Sequence, residues 1–171
     1  MIIHNKTKVS YVTILGEKVT NTNIHPHRRE NEAALLANIH NPHFDQVVVF
    51  LVDGERKAEA CLYFHQEISK LYGEVFSMTA EEYNEILSVK LKCVDVHTGR
   101  PTYYQMFQNA LSDVVTGDVV VLANADMAFD DTISLARHLN PECLAVVGTR
   151  GFSDRMPPVV KDIYGKMMGT D

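Results

Sequence analysis

Val47-Val48-Val49-Phe50-Leu51-Val52 is apolar at every position, and a run of that length without alternation is what a β-strand covered on both faces requires. A strand with one wet face would read apolar and polar by turns. Working outward, runs of similar length rich in Val and Ile recur at Val9 to Leu15, Leu91 to Val96, Val119 to Ala123 and Leu144 to Val147. Between them lie segments with helical spacing. These are Ala33, Leu36, Ala37 and His40; then Cys61, Phe64, His65, Ile68 and Leu71; then Tyr103, Met106, Phe107, Ala110, Leu111 and Val114. Strands alternating with helices predict an α/β fold with a mostly parallel, doubly wound sheet flanked by helices.

Local signals place several boundaries. Thr79 is followed by Glu82 and Thr102 by Gln105, two capping boxes in which each pair satisfies orphan N–H groups reciprocally, so helices start there. Pro101 holds Arg100 extended, which makes Gly99-Arg100-Pro101 a strand-to-helix loop. Loops at the carboxyl ends of such strands are where ligands bind. Residues 56–89 read as a helix-rich excursion on the sheet, and residues 149–171 as loop with one short helix, since Gly151, Pro157, Pro158, Gly165 and Gly169 accumulate there.

The 171 residues suit one domain, 1–171, and 46% hydrophobic content is enough for a core of its own. Sixteen Lys and Arg against twenty-two Asp and Glu give a net charge of -6, which leaves no broad cationic surface for a nucleic-acid backbone. An anionic small ligand stays open, because a divalent cation or a helix N-terminus supplies positive charge locally. Cys61, Cys93 and Cys143 are odd in number, far apart and beside apolar residues, so they read as buried thiols in a reducing compartment. Met1 to Lys6 lacks the apolar stretch of a signal peptide, and no run approaches the ~20 residues that span a bilayer. The expected location is therefore cytoplasmic.

The chemistry concentrates where Val119-Val120-Val121-Leu122-Ala123 runs into Asn124-Ala125-Asp126. In extended backbone, residues two apart project to one side, so the Asn124 amide oxygen and the Asp126 carboxylate would converge while Ala125 turns away. Mg2+ or Mn2+ accepts one or two protein oxygens and completes its shell with water and phosphate. The rival reading is a plain turn after a strand, where Asn and Asp bond to their own backbone. Asp130 and Asp131 are expected to cap the helix containing Ile133, Leu135, Ala136 and Leu139. His25-Pro26-His27-Arg28-Arg29 reads as a helix entrance, not a metal site.

Arg100-Pro101-Thr102-Tyr103-Tyr104, the helix after it, Gly117-Asp118-Val119-Val120-Val121-Leu122-Ala123-Asn124-Ala125-Asp126 and Phe129-Asp130-Asp131-Thr132-Ile133 resemble the central block of small GT-A-fold nucleotide-diphospho-sugar glycosyltransferases. The likeness covers residues 100–132 and extends more loosely to the first strand, to Asp53 and to Arg150. It implies a single Rossmann-like GT-A domain that moves a sugar from a nucleotide diphosphate, a UDP-sugar, to a hydroxyl acceptor such as a glycan, with Mn2+ or Mg2+ at the diphosphate. It implies that Asp126 is the principal metal ligand and the group that matters most to turnover. Asn124, standing where many members have a first Asp, is then an auxiliary ligand beside Ala125.

The same resemblance implies that Asp53 recognises the nucleoside, that Thr13 to Gly16, including Leu15, line the nucleotide with backbone, and that Arg150 lies near the donor. Gly151-Phe152 departs from the aromatic context expected after that arginine. Arg100 suits a phosphate by its guanidinium geometry, with a surface ion pair as the rival. An Asp53-Gly54 turn is the rival for Asp53. A base for the acceptor hydroxyl is sought beyond Arg150, where Asp154 and Asp162 are the acids before Asp171. Asp154 is the candidate, against a loop or capping role. Two alternatives remain: a catalytically inactive nucleotide-sugar binding module on the same fold, and a nucleotidyltransferase, for which Gly16-Glu17-Lys18 is a meagre version of the early glycine-rich basic loop.

Overall fold

A computed structural model describes residues 7–15, 26–52, 60–96, 102–139 and 158–169. Among these residues four strands, β1 (Val9–Leu15), β2 (Gln46–Val52), β3 (Leu91–Val96) and β4 (Val119–Leu122), form one sheet in the order β3-β2-β1-β4. Every pairing is parallel, with Val12 opposite Val48 and Leu122, and Val49 opposite Cys93. The sheet is doubly wound α/β, as the apolar runs predict, and compatible with a Rossmann-like fold. The Leu144 to Val147 run lies outside the described residues.

The faces separate by alternation. Val9, Tyr11, Val47, Val49 and Leu51 turn toward α1 (Pro26–His40), α2 (Ala60–Phe76) and α5 (Pro158–Met168). Val12, Val48 and Phe50 turn the other way, with Ala110 of α4 (Tyr103–Ala110). Helices on both faces explain why β1 and β2 carry no wet side. α1 packs against both the sheet and α5, and Ala33 through Ile39 are all buried. This differs from the one-sided stripe its spacing predicts, because a helix covered on two sides is buried nearly all round.

Both capping boxes form. Thr79 caps α3 (Ala80–Lys90), with Glu82 N–H donating to Thr79 Oγ1 at 3.4 Å and Thr79 N–H donating to Glu82 Oε2 at 2.9 Å. Thr102 and Gln105 do the same for α4 at 3.3 and 2.9 Å. α2 and α3 make up the excursion between β2 and β3. α4 is shorter than the expected stripe, because Leu111 to Val114 leave the helix in turns closed by Ser112 and Val115 N–H donors. On it Ala110 is buried, whereas Phe107 and Leu111 are exposed. Asp130 caps a short 3-10 helix, Asp131–His138, by accepting from Thr132 N–H at 2.9 Å.

Gly117 shows how tightly β4 is laid on β1. A Cβ there would stand 2.5 Å from Ser10 Oγ and 2.6 Å from Ser10 N, closer than side chains tolerate, so only glycine admits this approach. Ser10 in turn donates to Gln46 at 3.0 Å, and Gln46 holds Val114 C=O and Thr116 N–H.

The cysteines correct the sequence reading. Cys61 of α2 and Cys93 of β3 form a disulfide, with Cα atoms 5.6 Å apart. The crossover returns the chain so that residues 32 apart meet, which spacing alone does not reveal. The pairing removes the ground on which a reducing compartment was expected. Among the described residues no helix is long and apolar enough to cross a membrane.

Candidate functional site

β2 and β3 are added on one side of β1 and β4 on the other, so the winding reverses between β1 and β4. In open parallel sheets the crevice at such a reversal, beyond the carboxyl ends of the strands, is the usual ligand position. β4 ends at Leu122, and Ala123 N–H donates to Val12 C=O at 3.2 Å as the last link to β1. The chain then folds back at once, with Met127 N–H donating to Asn124 C=O at 3.2 Å.

Asn124 to Met127 is thus a turn, which corrects the extended geometry assumed for this motif. Asn124 and Asp126 are exposed while Ala125 is 8% exposed. The small residue seats the turn on the protein and leaves its two polar side chains in solvent. The turn that rivalled the ligand reading is the backbone geometry found, and it stands at the reversal of the sheet.

The turn is braced from beneath. Tyr11 of β1 is fully buried, and its hydroxyl donates to Asn124 C=O at 3.0 Å. Its ring lies 5.4 Å from that of Phe44 and 5.8 Å from that of Phe129. Burial pushes the Tyr11 phenol above its ordinary range, and the Asp126 carboxylate adds to the effect, so at neutral pH the hydroxyl keeps the proton it donates. Asn38 of α1, also fully buried, donates through Nδ2 to Met127 C=O at 2.8 Å and accepts from Phe129 N–H at 3.0 Å. Asn41, one turn on, donates to Phe129 C=O at 3.0 Å and accepts from His43 N–H at 2.9 Å. Backbone groups of a half-buried segment outside the sheet need partners, and these two side chains supply them.

The expected site residues divide into two groups. Asn124, Ala125 and Asp126 share the turn at the carboxyl end of β4. Thr13 and Leu15 lie at the neighbouring end of β1, where Thr13 is fully buried and Leu15 packs against the core. The Thr13 side chain therefore faces the interior. Asp53, Arg100, Arg150 and Asp154 lie outside the described residues. Asp162 is in mid-helix on α5, paired with Lys166 at 3.2 Å, where neither a cap nor a strand end is at hand.

The donor set limits what a cation could do here. Among the described residues no three His, Cys, Asp or Glu side chains converge. Asp126 and Asn124 are exposed on one turn, and the turn removes the extended-backbone reason for their oxygens to converge. One carboxylate and one amide are in any case too few for a protein cage, so a hard cation here would need most of its ligands from phosphate and water. A groove of about 790 Å3 between α2 and α3, lined by His65, Ser69, Gly73, Tyr83, Asn84 and Leu87 among others, shares no residue with the turn.

Tyr11, Asn38 and Asn41 escaped the sequence reading. A faint signal existed, since asparagine is a poor helix former, and two of them three apart at the end of an apolar helical stretch call for buried partners. Comparison with protein-family models, with curated proteins and with solved structures returns no match for this chain.

Proposed function

We propose that the chain is a glycosyltransferase domain that binds a nucleotide diphosphate sugar, a UDP-sugar, at the Asn124-Ala125-Asp126 turn and transfers the sugar to a hydroxyl acceptor. The observation that supports this most is the position of an exposed Asp126 carboxylate and Asn124 amide on a braced turn at the reversal of a parallel sheet. The resemblance of residues 100–132 to GT-A enzymes supplies the substrate class.

In this reading Asp126 holds the divalent cation through its carboxylate, Asn124 adds its amide oxygen, and Ala125 keeps the approach unobstructed. When bound, Mn2+ or Mg2+ offsets the negative charge that grows on the departing diphosphate. Asp126 thereby acts on the transition state more than on the ground state. Asp53, Arg100 and Arg150 are assigned to the nucleoside and phosphates, and Asp154 to removal of the acceptor proton.

Thermal melting with UDP and Mn2+, separately and together, tests this. Mn2+ alone is expected to shift melting little, because the protein provides only two ligands. UDP with Mn2+ at about a hundred times its Kd should raise Tm by roughly 5–10 °C, and Asp126→Ala should abolish that rise. Melting curves that coincide with and without UDP and Mn2+ together would overturn the proposal. Release of UDP from a UDP-sugar then separates a transferase from a binding module.

A further inference from the structure

We infer that Tyr11 and Asn38 are positioning residues that hold the Asn124–Asp126 turn in its ligand-binding conformation before any ligand arrives; the inference rests on the function proposed above. The two side chains reach the turn from different elements. The Tyr11 hydroxyl of β1 fixes the Asn124 carbonyl at 3.0 Å. Asn38 of α1 holds Met127 C=O at 2.8 Å and Phe129 N–H at 3.0 Å. Asp126 is thus bracketed, with a buried anchor on the residue two before it and another on the residue after it. Both anchoring side chains are fully buried, so neither competes for the ligand.

Asp126 itself is exposed, and no hydrogen bond within the protein is needed to account for the turn's shape beyond these anchors and the Asn124–Met127 link. Among the described residues the arrangement leaves the carboxylate open to a cation while its backbone is held on rigid elements. Such partners behind a metal ligand typically change affinity by roughly 10- to 100-fold when removed. Preorganisation is the reason: a turn left unbraced has to be ordered at the expense of binding.

The test is calorimetric titration of the full chain with UDP in saturating Mn2+, alongside thermal melting, for the wild type, Tyr11→Phe, Asn38→Ala and Ile68→Val. Tyr11→Phe keeps the ring and removes only the donor, so it remains informative if Asn38→Ala does not fold. Ile68 is buried in α2 and belongs to neither the turn nor its anchors, so Ile68→Val is a control for destabilisation alone. The expected result is a loss of UDP affinity of roughly tenfold or more in Tyr11→Phe, with Ile68→Val binding as the wild type does. Equal affinity in Tyr11→Phe and wild type overturns the positioning role while leaving the proposed function intact. An equal loss in Ile68→Val also overturns it, since the effect would then follow stability. A wild type that binds no UDP in Mn2+ overturns the proposed function and this inference with it.

Discussion

Arg137 does for the amino ends of the strands what Tyr11 and Asn38 do for the carboxyl end of β4. Its guanidinium pairs with Asp45 at 2.8 Å and donates to His43 C=O at 2.7 Å and to Thr7 C=O. Asp45 also accepts from Val9 N–H at 2.9 Å, so one ion pair ties the starts of β1 and β2 to the 3-10 helix. The Arg137 side chain is 11% exposed, which sets it apart from surface pairs of small effect. Arg137→Met is expected to lower unfolding stability by about 2 kcal/mol, since two carbonyls lose their donor while the part-exposed Asp45 keeps its bond from Val9 N–H. Urea denaturation reads this, and a loss well under 1 kcal/mol would mean that solvent already screens the network. Nothing in the sequence near Arg137 marks it, because its three partners come from segments distant along the chain. Asn38 was hidden for the same reason, whereas Asp130 and the two threonine caps act within a few residues and were legible.

The crossover from β2 to β3 is the element whose strength depends on covalent chemistry. α2 and α3 leave the sheet and return, and the Cys61–Cys93 bond closes that excursion against the outer strand. In the chain-entropy description, closing a loop of this length stabilises the fold by about 3 to 4 kcal/mol. Cys61→Ser, or reductant on the wild type, should lower the urea midpoint accordingly. A midpoint indifferent to reductant would show that the two sulfurs are thiols in solution. β2 was the most legible strand because burial on both faces writes itself as uninterrupted apolar residues from Val47 to Val52, while β1 and β3 were legible despite Ser10, Thr13, Lys92 and Asp95. The disulfide was not, since pairing depends on where the crossover lands. The Asn124–Met127 turn fell between these cases: its position was read from the end of an apolar run, but its shape is fixed by Tyr11 and Asn38.

Across the whole molecule the buried titratable groups set a stability profile with pH. Burial lowers His40 and His65 below 6.5, with Lys90 and Lys92 adding to the effect. The unfolded chain then binds more protons than the fold as pH drops through that value, and stability falls on acidification. Lys90 is lowered by burial to about 8, against the opposing pull of Asp45, and its amine donates to Asn41 C=O at 2.5 Å. Between about pH 8 and the ordinary lysine value of 10.5 the unfolded state again holds the extra proton, so stability rises with pH. Above 10 the sign reverses, because the Tyr11 and Tyr72 phenols are raised by burial and the unfolded state loses their protons first. Urea midpoints from pH 7.5 to 11 should therefore pass through a maximum near pH 10, and Lys90→Met should flatten the rising limb. A wild-type profile flat between pH 8 and 10 would mean that the Lys90 amine stays hydrated.

The packing of α1 against α5 as well as the sheet has a consequence for biosynthesis. During translation α1 leaves the ribosome roughly a hundred residues ahead of the helix whose Ile163 packs into the same core. At the usual pace of elongation, about 5–20 residues per second, its leucines wait several seconds or more without their cover. The nascent chain is most exposed to misassociation and chaperone capture in that interval, and only late synthesis of α5 ends it.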